Sequence, residues 1–443
     1  MSSVVMQPET EMSPIEFDKI SSMMSCMTVS SGLLFPGAID MEKMEAALLA
    51  LVGHCPWLCG RMSSKEYGAV SVVPRADETY PRGYMRCEVD DRTSSDYSGE
   101  VKVGDLLPKE IHEKMVRVDL AMVSVDEIPI CALRVTKFKE HFVITYRLNH
   151  AFYDQNSTVY LFTFLGQLYS QSDATAAPTL PAPTFIPRAH ITKDFTLPTA
   201  DEDAAAFQSA APKGYMSAPM PPLAFGPPIS QKILLDSARI ADFKKTSAAA
   251  SLSTNDVVHA ILAKAMSTRE QDSEKCRVMF ARNMRTPLGL GRHVAGDYVR
   301  LETLSLSREQ AVGASLLQLA ELNRALVDTP LGDVYTAECA WFLEFHKRHE
   351  GRPNVDFLMD QSAGVITNWS SFPYEDVRFG DSVTTELLLE DTPMMTHSGF
   401  FSRISFQGVG KERRLFAVVD TMNQYVIDNL RALAAETGLF TCV

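Results

Sequence analysis

Eleven of the chain's 24 prolines fall between residues 172 and 230, in runs such as Pro178 to Pro183 and Pro219 to Pro228. Each proline fixes φ and removes a backbone donor, so this stretch reads as extended linker rather than core. The apolar patterns on its two sides must then fold around separate centres. We expect an N-terminal unit over residues 1–185, a proline-rich crossover over 186–230 and a C-terminal unit over 231–443. Size agrees, because 443 residues exceed a typical single core.

In the first half Asp40 can cap a helix in which Met41, Met44, Leu48 and Leu51 recur at helical spacing, up to Gly53 or Pro56. His54 to Met62 reads as a turn leading into a strand. Ile130 to Phe138 and Phe142 to Leu148 read as two strands joined by Lys139-Glu140-His141. In the second, Phe142, Ile144, Tyr146 and Leu148 face one way, and Val143, Thr145, Arg147 and Asn149 the other. Ser157 to Tyr169 reads as a mostly apolar helix. The second half opens with a strand over Gln231 to Leu235. A helix from Ser237 to about Ala249 follows, and another begins at Ser253. Strand-like runs recur at Val365 to Thr367, Phe400 to Phe406 and Leu415 to Val419, before a closing helix over Asp428 to Ala435. No glycine-rich strand-to-helix turn is present, so mixed α/β layers in both halves fit better than a doubly wound parallel sheet.

The net charge of −13 argues against broad nucleic-acid or anionic-membrane binding, though not against a local basic pocket for one anionic ligand. No apolar run reaches membrane-spanning length, and Met1 to Glu16 lacks the pattern of a signal peptide. The eight cysteines show no zinc spacing, so no metal site is expected. They read as reduced thiols of a cytoplasmic protein. Cys59 has no histidine near it in sequence, which makes it a poor nucleophile candidate.

Directly after the strand ending at Leu148 come Asn149, His150, Ala151, Phe152, Tyr153 and Asp154. A histidine at a strand's end is held firmly and can still face a cavity, which suits a general base. His190/Asp194 and His293/Asp297 repeat the spacing, so the bare pattern selects nothing. His190 lies in the linker and His293 in a glycine-rich loop, and neither follows a strand. Those two pairs read as coincidences. A hydrogen-bonded core or turn histidine is the commoner meaning of an arbitrary histidine; the strand before His150 favours the catalytic one.

Five segments, in order, resemble the BAHD-type, coenzyme A-dependent acyltransferases of plants and fungi. Cys55-Pro56-Trp57-Leu58-Cys59-Gly60-Arg61 is similar to the family's Pro-x-x-x-Gly-Arg corner, and His150 to Asp154 to its His-x-x-x-Asp. Ser253 to Asp256 resembles a Ser-x-x-Asp helix start. Asn283-Met284-Arg285 with Gly296-Asp297 resembles the Asn-x-Arg … Gly-Asn segment. Thr367-Asn368-Trp369 with Phe379-Gly380 keeps the spacing of Thr-Ser-Trp … Asp-Phe-Gly-Trp-Gly. The matches span roughly residues 40 to 400.

The resemblance implies two chloramphenicol-acetyltransferase-like α/β domains with a channel between them and the histidine midway along it. It implies an acyl-CoA co-substrate, no permanently bound cofactor, and a small-molecule acceptor with a hydroxyl or amine, in secondary metabolism. It implies His150 as base and Asp154 at the site as the structural partner of Arg285. It also implies Thr367 and Trp369 as oxyanion and acceptor contacts, beside the plain reading of a strand threonine and a packed tryptophan. Arg282 and Arg292 belong to a basic stretch with Lys275, Arg277, Arg285 and Arg300; this is either a solvated face or a seat for coenzyme phosphate. No nucleic acid and no membrane span are expected, and the chain is expected to act as a monomer.

Departures point to a divergent, fungal-like branch. Gln155 stands where the family has glycine, Asn149 precedes His150, and Arg378-Phe379-Gly380-Asp381-Ser382 replaces Asp-Phe-Gly-Trp-Gly. They leave a second reading open: the scaffold redeployed, without coenzyme A, for condensation, cyclisation or isomerisation of a biosynthetic intermediate.

Overall fold

A computed structural model of the chain describes residues 2–9, 15–16, 28–66, 69–73, 82–98, 103–107, 129–171, 178–193, 225–248, 251–266, 275–348, 363–390, 395–396 and 399–443. Residues 194–224, most of the proline-rich stretch, lie outside the described residues, as does Cys26. The fold is mixed α/β, as expected.

Among the described residues, thirteen strands form one mixed sheet. Its first half runs Ser2–Met6, Met85–Asp91, Cys131–Lys137, His141–Asn149 and Thr28–Pro36 in hydrogen-bonded order. The second half contributes Glu386–Leu389, Phe400–Gln407, Ala363–Asn368, Lys275–Asn283 and Val299–Ser307, with Ile229–Leu235, Arg414–Thr421 and Phe440–Cys442 joined at its side. The two halves meet where Glu386–Leu389 pairs antiparallel with Thr28–Pro36, in the register Leu388 to Gly32.

The apolar side chains sort into two large cores. The first gathers Phe142, Ile144, Tyr146 and Leu148 from the strand before His150, together with helices Met41–His54 and Gln155–Ser170. Asp40 caps the first of these helices, its carboxylate accepting from the Glu42 and Lys43 amides at 3.0 and 3.2 Å. The second core surrounds helix Thr254–Met266 and includes Ile366, Ile404, Val419 and Leu430. Tyr374, Val377, Phe379, Leu387 and Phe406 come from late in the chain yet pack into the first core.

Two expectations need correction. The helix from Ser237 ends at Lys244 rather than near Ala249. The crossover does not run extended from residue 186: a short helix, Arg188–Ile191, starts directly after Pro187, and Arg188 is buried. Pro187 stands outside the helix, so its missing donor costs the helix nothing.

Candidate active site

Strand His141–Asn149 is buried along its length, and its hydrogen bonding ends at Asn149. There the Asn149 carbonyl accepts from the Phe152 and Tyr153 amides at 3.1 and 3.0 Å, while its side-chain oxygen accepts from the Ala151 amide at 3.0 Å. This tight turn puts His150 at the strand's end with its side chain 21% exposed. His150 is therefore reachable, while Ala151, Phe152 and Tyr153 are buried around it.

Asp154 opens helix Gln155–Ser170 as its N-cap. Its Oδ1 accepts from the Ser157 amide at 2.9 Å, a bond that satisfies one of the helix's free donors. Its Oδ2 accepts from Arg285 Nη1 at 2.5 Å and from the Tyr298 amide at 3.2 Å. Both members of the ion pair are essentially dry. Arg285 also donates to the carbonyl oxygens of Val294 at 2.8 Å and Gly296 at 2.7 Å, and to Ser157 Oγ at 2.6 Å. Its guanidinium lies 5.1 Å from the Tyr298 ring centre. The carboxylate of Asp154 is thus fully occupied by the helix start and by Arg285.

The carboxylate that faces His150 is another one. Asp297 Oδ1 lies 3.9 Å from His150 Nδ1, the separation of an electrostatic contact rather than a hydrogen bond. Both atoms are buried, and neither has a hydrogen-bond partner among the described residues. Arg188 Nη2 approaches Asp297 Oδ2 at 3.2 Å and also donates to the Asp297 carbonyl oxygen. Burial pushes the Asp297 carboxyl up from its ordinary range and Asp154 adds to this, while His150, Arg188 and Arg285 pull it down.

Asp297 reaches this place through its neighbour. Gly296 has φ +131°, a conformation L side chains rarely adopt, and a methyl group there would sit 2.9 Å from the Tyr298 ring. The Gly296 amide donates to the Phe152 carbonyl at 2.7 Å, which clamps this turn onto the histidine loop. His293, of the pair His293/Asp297 read as coincidental in sequence, has its ring beside that of Tyr160. The aspartate nonetheless faces His150. The Gly-Asp dipeptide in the Asn-x-Arg … Gly-Asn match was its available signal.

Thr367 lies opposite Arg403, one residue before the end of a parallel ladder, and is half-buried. Trp369 donates its amide to the Ile404 carbonyl at 3.0 Å and packs against the first core. Neither bonds to His150 among the described residues. Arg282 donates to the Thr329 carbonyl at 3.2 Å and faces Glu302 at 3.7 Å, so its charge is already answered. Arg300 pairs with Glu302 and Glu338. Arg292 is about half exposed and 3.5 Å from Asp376. Cys59 is buried, which pushes its thiol up to about 12 and leaves negligible thiolate at neutral pH.

The altered residues have identifiable contacts. Gln155 Nε2 donates to Tyr374 Oη at 2.7 Å and lies 3.3 Å from Tyr146 Oη. Phe379 packs edge-on to Phe35 and Tyr169, at 5.3 and 5.4 Å between ring centres. Gly380 keeps a left-handed φ of +63°. Within the segment 378–382 it is Phe379 that packs into the first core.

No protein-family profile and no curated protein matches the chain by sequence. Solved structures do match by shape. TRI101 of F. sporotrichioides, complexed with coenzyme A and T-2, superposes with a TM-score of 0.67 at 15% identity, covering 97% of this chain and 100% of that one. Vinorine synthase gives 0.65 at 12% identity over 99% and 97%. The epimerization domain from the third module of tyrocidine synthetase B gives 0.60 at 10% identity over 96% of each. No helix among the described residues is long and apolar enough to cross a membrane. The chain has the fold of the BAHD-type acyltransferases.

Proposed function

We propose that the protein transfers an acyl group, acetyl or another short one, from an acyl-CoA to a hydroxyl or amine of a hydrophobic small molecule. His150 is the general base. The observation that carries this reading is the mounting of His150, reachable at a strand's end, with Nδ1 turned to Asp297 and its loop fixed by the Asp154–Arg285 pair. The binding of coenzyme A by TRI101, which shares the fold, supports the choice of donor.

In this reading the carboxylate of Asp297 favours the tautomer with the proton on Nδ1 and leaves Nε2 to accept. As the acceptor oxygen or nitrogen attacks the thioester carbon, its proton passes to Nε2. When the C–S bond breaks, the imidazolium returns that proton to the departing thiolate. Thr367 and Trp369 serve the carbonyl oxygen and the acceptor. Arg292, exposed beside Asp376, meets the anionic end of the coenzyme; Arg282 is the weaker candidate, since Glu302 already faces it. Asp154 acts on His150 only by holding the loop. The protein acts as a cytoplasmic monomer in secondary metabolism, with no permanently bound cofactor.

Transfer from a panel of acyl-CoAs tests the reading, wild type against His150→Ala. A loss of about 10²–10⁴-fold is expected for removal of a general base. Unchanged turnover would remove His150 from the chemistry.

A second reading keeps the fold and drops coenzyme A, with His150 as base in condensation, cyclisation or isomerisation of a biosynthetic intermediate. Gln155 in place of glycine and the shape shared with an epimerization domain favour it. It predicts no thermal shift with coenzyme A alongside turnover of such an intermediate.

A further inference from the structure

We propose that Arg188, delivered by the crossover between the two halves, is a positioning residue for His150 that acts through Asp297. The proposal rests on His150 being the reacting group, but its primary test does not need acyl transfer.

The crossover is stitched to the Asp297 segment over five residues. Thr184 and Phe185 pair in parallel with Val294 and Ala295. The Ile186 carbonyl accepts from the Tyr298 hydroxyl. Arg188 then contacts both the carbonyl and the carboxylate of Asp297. Phe185 also packs on Phe152 of the histidine loop, 4.9 Å between ring centres. Arg188, Asp297 and His150 thus form a line across three separate segments, and both Arg188 and Asp297 are about 95% buried.

A carboxylate that deep in protein favours its neutral form unless cations answer it. The groups around Asp297 are His150, Arg188, Asp154, Arg285 and, from helix Gly332–Arg348, Tyr335. Asp154 repels it, and Arg285 is already bonded to Asp154. Arg188 is a cation in direct contact with the Asp297 carboxylate, at 3.2 Å. Without Arg188, Asp297 would take up a proton and lose its hold on the protonated imidazole. The base would then be weaker and less well aimed.

The experiment is an NMR titration of histidine-labelled full-length protein, with the His150 signal assigned by its loss in His150→Gln. Arg188→Met should lower the His150 midpoint by about one pH unit, the size expected when an opposite charge nearby is lost. Arg188→Lys, which keeps the charge, should restore most of it. Asp297→Asn should lower the midpoint in the same direction, and adding Arg188→Met to it should change nothing further. The proposal is overturned if folded Arg188→Met titrates like wild type. Should Arg188→Met not fold, an Asp297→Asn protein with an unmoved His150 midpoint overturns it equally. If the midpoints move as expected while no acyl-CoA is turned over, the positioning role stands and the acyl-transfer reading fails.

Discussion

Arg285 divides its three nitrogens between the start of the Asp154 helix and the 294–296 turn: Nη1 on the Asp154 carboxylate at 2.5 Å, Nη2 on Ser157 and Gly296, and Nε on Val294. A pair so dry and so fully bonded is costly to break from one side, because the survivor is left charged in a poor solvent. Asp154→Ala and Arg285→Ala are each expected to destabilise the protein by about 3–5 kcal/mol. His150→Ala, at a part-exposed turn, should stay within about 1 kcal/mol of wild type. Urea midpoints separate the two classes, and equal stability of Asp154→Ala and wild type would show that the pair does not hold the loop.

Helix Gln155–Ser170 runs so close to the segment Arg378–Phe379 that a methyl group at Gly166 would collide with the Arg378 carbonyl oxygen. Backbone cannot move aside as a flexible side chain can. Gly166→Ala should cost at least about 1–3 kcal/mol, the range for overpacking. Gly53 in helix Met41–His54 has open space around it, so Gly53→Ala should gain about 0.5–1 kcal/mol from helix propensity. Thermal melts of the two variants should move in opposite directions.

His259 is buried in helix Thr254–Met266, its Nδ1 3.1 Å from Asn323 Oδ1. Burial lowers its pKa from 6.5 to about 4. The unfolded chain then binds the proton more readily between those two values, so stability is full above about pH 6.5 and falls as the pH drops towards 4. Roughly 2–3 kcal/mol should be lost between pH 7 and 4.5 on this account, at 1.36 kcal/mol per pH unit. A His259→Gln protein should show a flatter profile in that window; an identical profile would assign the acid sensitivity to other groups.

Tyr374 Oη accepts from Gln155 Nε2 deep in the first core. Tyr374→Phe leaves the amide with its longer 3.3 Å contact to Tyr146 Oη and should cost about 1 kcal/mol. The double variant Tyr374→Phe with Gln155→Leu should recover part of that, since both polar partners leave together. A double-mutant cycle with no coupling would mean that this hydrogen bond contributes nothing.

The strand before His150, the Asp40 cap and the helix after Asp154 were all readable, because periodicity and capping are local. The order of the motifs likewise pointed to Arg285 as the partner of Asp154. Asp297 was set aside because its meeting with His150 depends on a left-handed glycine and on docking between distant segments. Arg188 was hidden by composition: prolines on both sides marked the stretch as linker, and no pattern in four residues announces a docked turn. Glu386–Leu389 is equally silent, since three leucines in four residues fit a strand or a helix alike.

The pairing of Glu386–Leu389 with Thr28–Pro36 carries a consequence for synthesis. During translation the first half emerges with the Thr28–Pro36 edge open until residues almost 360 positions later leave the ribosome. An open edge rich in apolar side chains is a template for wrong partners. A fragment stopping after the crossover should therefore aggregate or recruit chaperones, while the finished chain closes its own seam.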